Sequence, residues 1–350
     1  MLMNNFNTVL VCLICCALSA CGGSSSGSSE TPDVTPMPTP TPAVDPVVSF
    51  SISDAPLDSV TSVNVTFDSI TLKSANDNQD DDSGILLPVL DSEGNASTIT
   101  IDLMQYQNGD EKLLIGNTSI AEGDYSHLIL NTSGCPQNQN GSTEFCWVID
   151  QDGRKPLKTP SNKLKLGEFS VTNVAEQSYT IEFNLRSSLV STANGASYNL
   201  KPHGVRIVDA MTDSMLLGDV DVNLLTAGEG CEGVFQDDTD HGKVVYLYQH
   251  NFANNETMVD EYDVDIVKNT LPVDAVKPIA STNVSFDSEQ NRYFYNFAHL
   301  MAGEYTVAFS CSAIGDDPEE YDGIVIENPE SQRHTVTLLE NTQLTQHFTE

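Results

Sequence analysis

The chain has 350 residues, 50 of them acidic and 15 basic, for a formal charge of −35. That balance excludes nucleic acid as a partner, because such binding depends on Lys and Arg neutralising phosphates, and it excludes electrostatic attraction to anionic lipid. The length leaves room for two domains of ordinary size and a linker.

The first 21 residues contain an apolar run from about Thr8 to Leu18. It is too short to cross a bilayer, which takes roughly 20 residues, and it has the shape of a secretory signal followed by small residues. Leu18-Ser19-Ala20-Cys21 resembles the lipobox of bacterial lipoproteins. The resemblance implies a signal peptide over 1–20 and cleavage before Cys21, whose thiol takes the lipid (palmitate or a similar acyl chain) and anchors the chain. Gly22 follows where inner-membrane retention would call for Asp, so the resemblance implies an outer-membrane destination. The n-region departs from the pattern in carrying no Lys or Arg. Gly22 to Ser29 is Gly/Ser-rich, and Thr31 to Pro46 carries six prolines. Residues 21–46 therefore form a flexible, then extended, linker.

Beyond the linker the charge is uneven. Residues 47–214 hold 22 acidic and 10 basic side chains, and residues 215–350 hold 25 and 5. Cys12, Cys15 and Cys16 would leave with the signal, so four cysteines remain for the body: Cys135, Cys146, Cys231 and Cys311. Three disulfide pairings are possible. Cys135–Cys146 with Cys231–Cys311 is favoured, because each bridge then lies within one candidate domain.

The body reads as all-β, two β-sandwich domains at 47–214 and 215–350. Val47–Ser53, Val60–Leu72, Thr98–Leu103, Ser126–Asn131, Phe145–Ile149 and Tyr179–Leu185 are rich in Val, Ile, Thr and aromatics. Ile99, Ile101 and Leu103, and again Ile181, Phe183 and Leu185, alternate with polar residues, so one face meets a core and the other water. Asn108-Gly109 and Asn194-Gly195 mark turns. Short helices are expected within Ile101–Gln107 and near Arg186–Val190. From Leu216 a second series follows: Leu216–Leu225, Lys243–Gln249, Tyr262–Val267, Asn283–Phe286, Tyr293–Phe297, Tyr305–Phe309 and His334–Leu338. Gly303-Glu304-Tyr305 resembles the Gly-x-Tyr strand of transthyretin-like and carboxypeptidase-regulatory-type sandwiches, and Gly123-Asp124-Tyr125 is its parallel in the first half.

Residues 49–209 carry, in order, Ser53-Asp54-Ala55-Pro56, Val63-Asn64-Val65-Thr66-Phe67-Asp68-Ser69-Ile70, Ile101-Asp102-Leu103, Leu113-Leu114 and Gly123-Asp124-Tyr125. Leu164-Lys165-Leu166, Ile181-Glu182-Phe183-Asn184-Leu185-Arg186-Ser187 and Tyr198-Asn199-Leu200-Lys201-Pro202 complete the series. This order resembles the bacterial lipoprotein family known as domain of unknown function 4382. It implies an exported, tethered β-domain and brings no established activity. Glu182-Phe183-Asn184 stands where many relatives carry an Asp-Phe-Asp stretch.

Signatures of metalloproteases, serine hydrolases, phosphate loops and dinucleotide sites are absent, so no enzyme activity and no cofactor are expected. The histidines, at 127, 203, 241, 250, 299, 334 and 347, show no metal-ligand spacing. The acidic run at 77–84 fails the calcium-loop pattern, which wants Gly at position six and Glu at twelve. Asp237, Asp238, Asp240 and His241 read as a solvated loop. Asp316, Asp317, Glu319 and Glu320 are the calcium candidates, with a plain acidic hairpin as the default. Arg154, Lys155, Lys158, Lys163 and Lys165 gather a third of the basic residues. They read first as charged gatekeepers on an edge strand and second as a dock for an acidic partner such as the second domain. The whole reads as a membrane-anchored, non-enzymatic binding or structural module whose partners are envelope proteins or extracellular polymers. Calcium-dependent adhesion, glycan binding and a carboxylate-dependent hydrolase are the alternatives.

Overall fold

The computed structural model describes residues 45–350 apart from 56, 58, 76–83, 136–142, 193, 232–241, 253–255 and 265–269. Strand Val47–Ala55 shows how its residues dictate its place. Val48, Phe50 and Ile52 alternate along one face and are fully buried. The strand lies parallel to Glu176–Asn184 and antiparallel to Lys112–Ser119, in a four-stranded sheet closed on its other edge by Val205–Asp209.

The sheet opposite has ten strands and is centred on Ser62–Ser74. Its core residues step by two through Val63, Val65 and Phe67, then by three to Ile70 and by two to Leu72. The change of phase has a cause: the ladder to Gly123–Thr132 jumps between Phe67 and Ser69, so Asp68 is the extra residue of a bulge. Facing these side chains, Phe50, Ile52, Tyr179, Ile181 and Phe183 complete one continuous core. The two sheets thus pack as a sandwich.

Residues 214–345 build two further four-stranded sheets. One runs Ser285–Asp287, Arg292–Leu300, Ser214–Val220 and Gln343–Thr345, and the other Ala280–Asn283, Val244–Tyr248, Gly303–Ser310 and Arg333–Leu338. Tyr293, Tyr295 and Phe297 meet Val245, Leu247, Val307 and Phe309 between them. Val244, Tyr246 and Tyr248 bury on the opposite face of their strand, which explains why Val244–Tyr248 is apolar on both sides. Gly218 is the point of closest approach: a Cβ there would lie 1.7 Å from the Gln346 carbonyl oxygen. The protein is therefore an all-β sandwich fold, and residues 44–350 form one compact unit.

Most expected strands are present within a few residues of their expected bounds. The short helices reduce to a 3-10 turn at Leu103–Gln105 and a single α-turn at Leu185–Ser188. Leu216–Leu225 is not one strand. It ends at Val220, and Asp221 caps a 3-10 turn over Val222–Thr226 by accepting from Asn223 N at 2.9 Å. Tyr262–Val267 was expected as a strand, but Tyr262 to Val264 run outside any sheet, and 265–267 lie outside the described residues. Asp260, Glu261 and Asp263 are buried there and engaged by Ile324 N, Ser187 and Lys201 instead of by a sheet ladder. Strands Lys112–Ser119, Gly153–Lys158, Ser197–Leu200, Val205–Asp209 and Gln343–Thr345 were not foreseen.

Candidate functional site

The strand Glu176–Asn184 delivers its last residues to a charged seam, where side chains before residue 210 meet side chains after residue 214. Asn184 closes the strand and caps the α-turn, its Oδ1 accepting from Ser187 N at 3.3 Å. Its Nδ2 donates across the seam to the Ser281 carbonyl at 3.0 Å. Arg186 then donates to Asn283 Oδ1 at 3.1 Å and to Asp316 Oδ2 at 2.8 Å. The hydroxyl of Tyr246 donates to the same Asp316 oxygen at 2.6 Å. Ser187 Oγ donates to Glu261 Oε1 at 2.9 Å. Lys201 pairs with Glu319 and, at 3.4 Å, with Asp263, and His203 faces Asp263 at 3.5 Å.

These charges are out of water. The Arg186 and Asp316 side chains are 9% and 1% exposed. Burial works against the Arg186 charge, but Asp316, with Tyr246 behind it, more than offsets this and holds the guanidinium above its ordinary range. Burial and the Asp316 charge push Glu261 up to about 7. Asp260 is pushed up to about 7 by burial first, although Ile324 N donates to its Oδ2 at 2.7 Å. Burial raises these carboxyls because a low-dielectric seam disfavours a charge that lacks a cation of its own.

The polar residues of the family motifs collect here and beside it. Asp54 is 1% exposed, takes a 3.2 Å hydrogen bond from Gln107 Nε2, and burial pushes its carboxyl well above the usual range. Glu182 is buried beside Arg206.

The four calcium candidates do not converge on one point. Asp316 belongs to Arg186 and Tyr246, and Glu319 to Lys201. Asp317 Oδ1 accepts from Glu319 N at 2.9 Å, and Glu320 N donates to the Asp317 carbonyl at 3.1 Å. The acidic loop is the plug that the second half inserts against the cations of the first.

Among the described residues, the group with metal-ligand geometry is Glu111, Asp213 and His299. Glu111 immediately precedes strand Lys112–Ser119, and Asp213 precedes Ser214–Val220. His299 sits where the ladder between Ser214–Val220 and Arg292–Leu300 is interrupted, since Ser214 pairs with Leu300 and Leu216 with Phe297. The extra residue leaves His299 with a left-handed φ of 51° and turns its ring toward the two carboxylates. His299 Nδ1 lies 2.6 Å from Asp213 Oδ2 and 3.7 Å from Glu111 Oε1, and the ring is 4% exposed. Thr180 Oγ1 donates to Glu111 Oε1 at 2.6 Å. All three residues line a cavity of about 390 Å³, with Met215, Asn341 and Gln343 on its wall. Chemically the group can hold a proton between an imidazole and a carboxylate, or a cation among all three. Sequence reasoning passed over it because its members stand about a hundred residues apart and no local pattern links them.

Cys135 is bonded to Cys146 and Cys231 to Cys311. The five-residue basic group lies away from the seam contacts. Strand Gly153–Lys158 is interior to its sheet, paired with Trp147–Asp150 and Ser197–Leu200, so Arg154, Lys155 and Lys158 are not on the edge expected. There Arg154 stacks 3.8 Å over the Trp147 ring, and Lys155 meets Asp152 at 4.0 Å. Lys163 and Lys165, by contrast, lie on the short strand Lys163–Lys165, which pairs with Gly123–Thr132 on one side. Cys21, the linker up to residue 44, the core of the acidic run at 77–84 and the Asp237–His241 loop lie outside the described residues. Among the described residues no helix is long and apolar enough to cross a membrane.

With this all-β architecture in place, residues 47–202 match the model of a family described as domain of unknown function (DUF4382). It is the family whose ordered motifs run through the first sandwich. No curated protein matches the sequence. Among solved structures, the chain is similar to the TIE protein of Bacillus anthracis at 11% identity and a TM-score of 0.17, covering 87% of this chain and 34% of that one. It spans about a third of the length of that protein. It is also similar to the minor pilin GBS52 of Streptococcus agalactiae (12% identity, 86% and 94% covered, TM-score 0.17). A third is a fimbrial protein of Bacteroides ovatus (10% identity, 87% and 49% covered, TM-score 0.17). TM-scores this low carry no information about function.

Proposed function

We propose that this chain is a lipid-anchored envelope protein, held at the outer membrane through Cys21, whose β-body is a non-enzymatic binding or structural module. The observation that carries the reading is the order of its parts. Leu18-Ser19-Ala20-Cys21 is followed by a Gly/Ser-rich stretch, a Pro/Thr tract and a compact β-unit from residue 44 onward. A spacer of polyproline type rises ~3 Å per residue and holds a body several nanometres from a surface. The strongly acidic composition supports attachment by lipid rather than by charge.

The body divides into domains at 47–214 and 215–350, a reading supported by the strand boundary between Asp209 and Ser214 and by separate apolar cores on either side. A non-enzymatic role is supported by the seam, whose buried carboxylates are engaged by Arg186, Lys201, Ser187 and Tyr246. Envelope proteins or extracellular polymers are the partners such a tethered module would meet. Replacing Cys21 with Ala tests the anchor: the chain should leave the membrane fraction and lose fatty-acid labelling. Labelling that persists in the variant would refute it.

A further inference from the structure

Glu111, Asp213 and His299 bring two carboxylate oxygens and an imidazole nitrogen within 4.8 Å of one another. Two carboxylate oxygens approach one imidazole nitrogen, at 2.6 and 3.7 Å. A ring nitrogen has one in-plane position, so a single N–H satisfies Asp213 and leaves the Glu111 oxygen without that bond. Thr180 supplies Glu111 with a neutral hydrogen bond and no positive charge. The other ring nitrogen, Nε2, is buried with no hydrogen-bond partner among the described residues.

We propose that Glu111, Asp213 and His299 are the protein ligands of a divalent first-row transition-metal site. Zn²⁺–N and Zn²⁺–O bonds of about 2.0–2.2 Å in a tetrahedral site place neighbouring ligand atoms roughly 3.3–3.6 Å apart. The 3.7 Å contact sits close to that spacing, and the 2.6 Å contact has to open by less than about 1 Å. Glu111, about a third exposed, has room to move inward. The imidazole ligand selects against Ca²⁺ and Mg²⁺, which take oxygen ligands. The cavity in front of the group gives space for water or a small anionic ligand to complete the coordination. Thr180 orients Glu111 from behind, as outer partners of metal ligands do.

The placement implies a consequence for the whole body. Glu111 comes from the first sandwich, His299 from the second, and Asp213 from the connection between them. A bound ion therefore clips the two together beside Thr180, on the same face of strand Glu176–Asn184 that carries Asn184 to the seam four residues further on.

The test uses the full chain, purified without a tag, stripped with chelator and titrated with ZnCl₂ by calorimetry. One Zn²⁺ per chain is expected with micromolar or tighter affinity, together with a higher thermal midpoint, and Ca²⁺ or Mg²⁺ should not compete. Asp213→Asn and His299→Gln should each weaken binding at least tenfold. Glu111→Gln, a change at a partly exposed side chain, carries the same expectation and keeps the test decisive if the buried variants fail to fold. Absence of Zn²⁺ binding by the folded wild type overturns the proposal. So does unchanged affinity in the folded variants, which would assign the ion to other histidines.

Discussion

Glu261 sits in the seam with a hydrogen bond from Ser187 and the Asp316 charge nearby, and burial followed by that charge raises it from its ordinary 4.5 to about 7. The folded state therefore keeps this proton over a range in which the unfolded chain has released it. The resulting stabilisation is whole below about pH 4.5, falls as pH rises, and is lost above about pH 7. Asp260, also raised to about 7, acts in the same direction. Glu261→Gln preserves the acceptor for Ser187 and cannot ionise. Its thermal midpoint should fall less than that of the wild type between pH 5 and pH 8, with a difference of roughly 2–3 kcal/mol in stability. Parallel pH curves for the two proteins would contradict the assignment of that proton. The residue scale is also where sequence reading was weakest. Glu261 and Asp316 look like any other acids in an acidic chain, and only their neighbours make them unusual.

At the scale of elements, both sandwiches use the same device. Tyr125 donates its hydroxyl to the Ala121 carbonyl at 2.9 Å, and Tyr305 to the Met301 carbonyl at 2.8 Å, each four residues back across the turn that opens its strand. Gly123, with a φ of 151°, permits the first of those turns. Both rings are buried, at 4% and 2% exposure, so each hydroxyl needs its partner. Tyr125→Phe and Tyr305→Phe should each cost about 1 kcal/mol, seen as a lower denaturation midpoint with an unchanged denaturant slope. A neutral result for either would mean that water reaches the freed carbonyl. The Gly-x-Tyr pattern was legible because the turn and the inward ring are local in sequence. The bulge at Asp68 was half legible: the core residues lose their alternation between Phe67 and Ile70, but the extra residue is defined by the partner strand. Tyr262–Val264 misled for the opposite reason. Alternation describes what a segment can do, and the buried acids on either side of Tyr262 are drawn to Ser187 and Lys201 instead.

At the scale of the molecule, the two disulfides contribute unequally. Cys231–Cys311 closes 80 residues and Cys135–Cys146 closes 11. On the chain-entropy model these constrain the unfolded chain by about 4.5 and about 3 kcal/mol. Replacing the first pair with Ala should therefore lower thermal stability more than replacing the second, as scanning calorimetry would register. Equal losses would indicate that residual structure in the unfolded state dominates. The sequence by itself determined the all-β class and most strand positions, because alternation and turn chemistry act over a few residues. It also supplied the acidic excess of the second half. Tertiary structure alone decided where that excess is spent. Asp316 and Glu319 face Arg186 and Lys201 across more than a hundred residues of chain, and His299 meets Glu111 and Asp213 only where two sheets and their connection converge. Charges act through space, over distances set by packing, so their partners are legible only once the sandwiches have closed.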